Sequence, residues 1–96
     1  MFAEFSTPQV NVIKSDLGFA VEVLGQTGIR YTEGEKSIFI DSEALAKPGA
    51  IALYASSIKR WEPPHETDEL ESSDRDRIIE NIRRAFKFKG HTLEVI

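Results

Sequence analysis

The residue types best suited to chemistry or binding are carboxylates crowded into one short segment of the chain. Between Glu62 and Asp76, seven acidic residues stand against a single base, Arg75, so this segment carries a charge of −6. From Arg77 to His91 the balance reverses to +4. A dense group of carboxylates next to a tryptophan would suit docking onto a basic protein surface, because complementary charge raises both association rate and specificity. A solvated loop leading into a helix is the other interpretation, and the composition leaves both open.

If this segment binds a partner, its tryptophan and the residues that follow are the candidate contacts. They are Trp61, Glu62, His65, Glu66, Asp68, Glu69 and Glu71. Trp61 allows two interpretations: a large side chain that seals the core where a helix crosses a sheet, or a partly exposed interface anchor. The heavy contribution of a tryptophan to a small core favours the first. His65 is expected to be an ordinary surface histidine, because it shares no metal-ligand spacing with His91.

The sequence lacks the signatures of catalysis. There is no cysteine, which removes thiol nucleophiles, thiolate metal sites and disulfides. Ser56-Ser57 has no Gly-x-Ser-x-Gly context and therefore forms no nucleophile elbow. The glycines form neither a phosphate loop nor a dinucleotide fingerprint. We therefore expect a protein that is not an enzyme and that uses no cofactor or metal ion.

The clearest secondary-structure signal is a helix from Ser73 to Phe88. Its apolar residues recur at three- and four-residue spacing and form one stripe, which consists of Ile78, Ile79, Ile82, Ala85 and Phe86. Ser73 and Asp76 predict an N-cap with a capping box, and Gly90 can supply the left-handed residue with which many helices end. The acids at the helix start and the bases at its end match the helix dipole. Such a stripe needs a sheet to cover.

The rest of the chain predicts that sheet. Alternating apolar residues indicate strands at Gln9 to Lys14, Phe19 to Leu24, Ile29 to Thr32, Ser37 to Asp41, Ala50 to Ala55 and Thr92 to Ile96. A bulge at Ser56-Ser57 would continue the fifth of these strands from Ile58 to Trp61. Met1 to Pro8 is expected to be an irregular arm, and Ser42 to Lys47 either a helical turn or a continuation of the strand before it.

These elements together predict the fold class. The short connections between the first strands require antiparallel neighbours. The predicted fold is α+β: an antiparallel β-meander sheet packed by one C-terminal amphipathic helix, with a final C-terminal strand, in a single domain over residues 1–96.

Composition narrows the class of protein further. A hydrophobic fraction of 41% and a charged fraction of 29% are typical of a folded domain. The net charge of −4 argues against the basic character of a nucleic-acid binder. The first residues have neither the basic nor the apolar region of a secretory signal, and no apolar run approaches the ~18 residues of a membrane span. We therefore expect a cytoplasmic protein without a membrane partner; its oligomeric state stays open.

Several short motifs resemble those of a known family. They are Gly28-Ile29-Arg30-Tyr31, Glu33-Gly34, Ser42-Glu43-Ala44-Leu45, Ser57-Ile58-Lys59-Arg60-Trp61-Glu62-Pro63-Pro64, the helix start from Asp74 to Ile82, and Gly90-His91-Thr92-Leu93-Glu94-Val95. Together, over roughly Gly18 to Ile96, the chain resembles a family of small predicted immunity proteins from bacterial polymorphic or contact-dependent toxin systems. The resemblance implies a cytoplasmic protein that binds and neutralises a cognate toxin domain, often a nuclease or another toxic enzyme. It carries over no functional residues.

Two other hypotheses stay beside the immunity hypothesis. One is a small regulatory or protein-interaction module without a toxin partner, which would use the same sheet and helix. The other is nucleic-acid binding through Arg77, Arg84 and Lys87, for which affinity would fall steeply with salt. The bases on the helix are explained more simply by solvent contact and surface ion pairs.

Overall fold

The fold is a seven-stranded sheet that curls around one helix. The computed structural model describes residues 4–96. Its elements in chain order are β1 (Phe5–Gln9), β2 (Val12–Ser15), β3 (Phe19–Val23), β4 (Gly28–Glu33), β5 (Lys36–Ala44), β6 (Ala50–Leu53), α1 (Ser72–Phe88) and β7 (Thr92–Val95). The strands follow chain order across the sheet, and all neighbours are antiparallel except β6 and β7. Helix α1 contacts β7 at one end of that order and β2 and β3 toward the other, so the sheet wraps round it. The predicted α+β class is confirmed.

The inner face of the sheet comes from the alternation seen in the sequence. Val21, Tyr31 and Ile38 lie opposite one another across β3, β4 and β5, and all three are buried. Ile29 and Ile40 form the neighbouring row in the same way. The inward positions predicted for these strands are confirmed.

Helix α1 covers this face with the predicted stripe. Ile78, Ile82, Ala85 and Phe86 are fully buried, and Ile79 packs against the core from its edge. Full burial of an aliphatic or aromatic side chain stabilises a fold by about 1.5–3 kcal/mol. The stripe is therefore a main source of stability in so small a domain.

The start of α1 differs from the prediction. The N-cap is Glu71, whose backbone N–H donates to Oδ2 of Asp74 at 3.0 Å. The predicted cap at Ser73 with Asp76 is wrong. The helix begins at Ser72, so Asp74 occupies the third helical position, from which a carboxylate reaches back to the cap.

The last turn of α1 leads into β7. Gly90 has a φ of 80°, and the N–H groups of Gly90 and His91 donate to the carbonyls of Lys87 and Phe86 at 3.0 and 2.8 Å. This is a common helix C-terminus, and the role predicted for Gly90 is confirmed. The final strand docks into the sheet as expected. It runs parallel to β6, because the helix has carried the chain across the sheet.

Strand β1 is the element that the sequence did not predict. Phe5–Gln9 pairs with β2 around a turn at residues 10–11. The prediction of an irregular arm is therefore wrong for residues 5–8. The single strand expected over Gln9 to Lys14 is wrong at that turn. β1 is an edge strand with mostly exposed side chains, so it needs no apolar alternation. The start of the predicted arm, residues 1–3, lies outside the described residues.

After β6 the chain runs beside β5 and is hydrogen-bonded to it, but it does not form a strand. A 3₁₀ turn (Ala55–Ser57) takes the place of the predicted bulge, and Ile58 to Trp61 has no regular secondary structure. The predicted strand continuation is wrong. This segment is joined to β5 by an isolated backbone hydrogen bond, from the N–H of Glu62 to the carbonyl of Ser37 at 2.8 Å, and not by the repeated hydrogen bonds of a paired strand. β5 itself continues to Ala44. Of the two alternatives for Ser42 to Lys47, a helical turn or a continuation of the strand, the structure therefore has the strand, as far as Ala44.

Candidate functional site

The acidic loop, residues 62–71, lies beside the β4–β5 hairpin and ends at the start of α1. Its first half forms consecutive turns, in which the N–H of His65 donates to the carbonyl of Glu62, and that of Asp68 to the carbonyl of His65, both at 3.0 Å. Leu70 packs against the core at the other end of the loop. The loop is therefore held by its own turns and by an apolar contact before the helix begins.

Trp61, immediately before the acidic loop, is a core residue. Its side chain is only 3% exposed and belongs to the same apolar cluster as Ile82 and Phe86. Nζ of Lys36 lies 5.7 Å from the centre of the ring, within the range of a cation–π contact. Of the two interpretations of Trp61, the structure supports the core interpretation, and the side chain does not form part of the accessible surface.

Two ion pairs connect the acidic loop to the sheet. Glu62 Oε1 lies 3.3 Å from Nε of Arg30 on β4, and Asp68 Oδ2 lies 3.0 Å from Nζ of Lys36 on β5. Each pair is partly exposed, and such pairs contribute only about 0–1 kcal/mol to stability. Their main effect is to fix the position of the loop. Sequence reasoning missed them, because the bases stand some thirty residues before the acids.

Asp74, at the start of α1, pairs with Arg77 at 2.8 Å. The other acids of the segment are exposed and without an ion pair among residues 4–96. They are Glu66, Glu69, Glu71 and Asp76. Glu66, Glu69 and Glu71 line an open groove of about 460 Å³, to which Lys59 and Arg60 also contribute. The carboxylates that line this groove outnumber the two bases, and this excess of negative charge attracts a basic partner.

Two of the three helix bases that suggested phosphate binding, Arg77 and Arg84, already have carboxylate partners. Arg77 donates to both carboxylate oxygens of Glu33, from Nε at 3.1 Å and from Nη2 at 2.9 Å, and Arg84 pairs with Glu4. The Glu33 partner raises the pKa of Arg77, so this guanidinium stays charged. Because these two bases already have carboxylate partners, the helix face offers little free positive charge to nucleic acid. Lys87 is exposed.

A buried hydroxyl links this ion pair to the core. Tyr31 is fully buried; its hydroxyl donates to Oε1 of Glu33 at 2.7 Å and accepts from Nδ2 of Asn81 at 2.9 Å. Burial, more than any partner, raises the pKa of Tyr31. This network ties β4 to α1 and has a structural role. No local sequence signal could have revealed it, since its members come from two distant elements.

A second acidic patch lies in the C-terminal half of β5, where sequence reasoning placed no site. Asp41 and Glu43 line an open groove of about 440 Å³ with Tyr54, and the Tyr54 hydroxyl donates to Oε2 of Glu43 at 2.7 Å. That hydrogen bond is the main cause of a raised pKa of Tyr54. The alternation of acids along β5 is the signal that could have found this patch.

The described residues contain no cluster suited to a metal ion and no membrane-spanning helix. Within residues 4–96, no three side chains of His, Asp or Glu converge as a metal ion would require. Over the same residues, the helix is neither long nor apolar enough to span a membrane.

Comparison with known proteins identifies the family. The model of one family, Immunity protein 74, matches residues 20–96, which is 77 of the 96 residues. No curated protein and no solved structure matches the chain. The matched range covers β4, β5, β6, α1 and β7 in full, together with most of β3 and the whole acidic loop. The chain belongs to the Immunity protein 74 family, an immunity protein family of toxin systems.

Proposed function

We propose that this protein binds a bacterial toxin domain and neutralises it, and that the acidic loop is a principal contact. The observation that carries the proposal is the set of exposed, unpaired carboxylates on a loop whose backbone is already held by the fold. A rigid charged loop associates quickly with a surface of opposite charge and loses little conformational entropy on binding. The contacts are Glu66, Glu69 and Glu71, with Glu62, His65 and Asp68 beside them.

Charge favours a toxin that acts on nucleic acid. A nuclease needs basic residues that bind phosphate groups, and carboxylates of an inhibitor can occupy those positions. Such a toxin finds its substrate in the cytoplasm, so we expect this protein to act there. Inhibition would then follow from covering the basic active site.

Co-expression tests the function directly. The toxin domain encoded beside this gene is expressed in a sensitive host with and without the protein. We expect survival only when the protein is present, together with a complex of the two purified proteins. Equal killing in both cases would contradict the proposal and favour an interaction module that has no toxin partner.

A pair of charge-reversal variants tests the role of the acidic loop. Glu66→Lys combined with Glu69→Lys should slow association with the toxin by about tenfold or more at low salt, because like charges would then meet. Asp68 is left unchanged, since it pairs with Lys36. The matched control combines Asp16→Lys with Asp41→Lys, which reverses two exposed acids elsewhere.

Association rates at low and high salt, with a thermal melt of each free variant, are the measurements. Both variants should fold normally, because exposed substitutions of this kind change stability by about 0.5 kcal/mol or less each. The control should associate much faster than the loop variant. Equal rates for the two variants would show that only the net charge matters, and that another surface makes the contact.

A further inference from the structure

The two edges of the sheet are built differently. β1, at one edge, contains Pro8 and a register irregularity between Ser6 and Gln9, both of which discourage pairing with another chain. β7, at the other edge, pairs with β6 over four consecutive residues without irregularity and contains neither proline nor lysine. The β7 edge is therefore the better template for an added strand.

The outward backbone groups of β7 can be assigned from its hydrogen bonds. The N–H of Thr92 donates to the carbonyl of Gly49, just before β6, at 2.8 Å, and that of Ile96 to the carbonyl of Leu53, the last residue of β6, at 2.9 Å. Every second residue of a parallel strand bonds to the same neighbour, so Glu94 also faces β6. The N–H and C=O groups of Leu93 and Val95 consequently point away from the sheet. Among residues 4–96 no further strand pairs with them.

The side chains around this open edge are suited to being covered. Val95 is 39% exposed and Ile96 is 66% exposed. A strand laid along β7 would remove part of this apolar surface from water while satisfying the outward backbone groups.

The sequence of β7 disfavours pairing with a second copy of this chain. The antiparallel two-fold register that uses all the outward groups sets Leu93 opposite Val95 of the other copy and Glu94 opposite its own counterpart. Like charges directly opposite each other destabilise a sheet. Glu94 is exposed and has no ion pair among the described residues. Repulsion between the two Glu94 side chains thus disfavours pairing of β7 with β7 of a second copy, whereas a strand of different sequence can pair with it.

We propose that a strand of the toxin domain adds to β7, with hydrogen bonds to the backbone of Leu93 and Val95 and with a lysine or arginine beside Glu94. This inference rests on the proposed function, since it names a second contact with the same partner. The free charge at Glu94 has the same sign as the acidic loop, so one basic partner suits both surfaces.

Amide exchange measured by NMR tests the strand addition. The ¹⁵N-labelled protein is compared alone and bound to a catalytically inactive form of the neighbouring toxin domain. In the free protein the amides of Leu93 and Val95 should exchange fast and that of Glu94 slowly; in the complex all three should be slow. A complex in which Leu93 and Val95 exchange as fast as in the free protein overturns the strand addition and leaves the proposed function standing. If no complex forms, the proposed function fails and this inference fails with it.

Substitutions at Val95 give an independent test by affinity. Val95→Pro removes the outward N–H without removing a bond to β6, and proline is tolerated on edge strands. It should weaken toxin binding at least about tenfold relative to Val95→Ala, which also trims the side chain but keeps the N–H. Thermal melts show whether both variants are folded. Equal affinities for the two folded variants overturn the proposal, as does a dimer of the free protein in which Leu93 and Val95 are already protected.

Discussion

Replacing Tyr31 by phenylalanine isolates the contribution of the hydroxyl that joins β4 to α1. Tyr31→Phe keeps the buried ring, which is stacked on Phe19 with centroids 5.8 Å apart. It removes two hydrogen bonds, to Glu33 at 2.7 Å and from Asn81 at 2.9 Å. Glu33 retains Arg77, and Asn81 is only half-buried, so water can replace part of what each loses. At about 1 kcal/mol net per hydrogen bond, we expect a destabilisation of about 1–2 kcal/mol at neutral pH.

The same substitution should show a characteristic dependence on pH. Burial raises the pKa of the Tyr31 hydroxyl in the folded protein, whereas in the unfolded chain it is about 10. The folded state therefore keeps a proton that the unfolded state releases, and this contribution to stability is present below pH ~10 and lost as the pH rises above it. Tyr31→Phe has no such group. The stability difference between the two proteins should shrink by about 1.4 kcal/mol per pH unit above ~10 and nearly vanish at about pH 11.

Urea unfolding followed by the fluorescence of the single, buried Trp61 measures this difference. Both proteins are compared at neutral pH and at several values between about 9 and 11, where their other titrating groups are the same. A difference that stays constant up to about pH 11 would contradict the assignment of a buried phenol with a raised pKa. No difference at neutral pH would mean that the hydrogen bonds of the hydroxyl add nothing to stability.

Two further predictions concern α1. Ile82→Ala should cost about 2–5 kcal/mol, as for a large-to-small change in a packed core, which lowers the melting temperature by about 4–8 °C for each kcal/mol; an unchanged melt would mean that the stripe does not carry the packing. The pKa of Asp74 is lowered first by the N–H of Glu71 and then by Arg77, so the stability it adds is present above pH ~4 and lost as the pH falls. Asp74→Asn should therefore be less stable than the parent at neutral pH and equally stable in acid, as acid titration followed by circular dichroism can test.

Local patterns were enough to predict most of the fold. The helix stripe around Ile82 and the alternating residues of β3, β4 and β5 are each buried against a single neighbouring layer. Their periods of 3.6 and 2 therefore appear directly in the sequence. β1 escaped prediction for the opposite reason. As an edge strand held by its backbone, it exposes Ser6, Thr7 and Gln9, and no period marks it.

The candidate site was less accessible to sequence reasoning, because its geometry depends on distant partners. The concentration of acids could be counted, but which acids remain free is decided by Arg30 and Lys36 in the sheet. The sequence around Trp61 was compatible with both a core position and an interface position. Only the path of the chain along β5 places the side chain in the core. Immediately after it, Glu62 bonds to that strand through its N–H.

The residues that hold the acidic loop in place differ from those that we propose to contact the toxin. Trp61 and Leu70 anchor its ends in the core, and the pair of Glu62 with Arg30 fixes its path, whereas Glu66 and Glu69 project from it without an ion pair among the described residues. Substitutions at exposed positions of this kind have small effects on stability but large effects on the rate and specificity of charged association. Under the proposed function, one scaffold could therefore be fitted to different toxins by exchanging a few loop residues, because the proposed contacts and the residues that stabilise the fold are separate side chains.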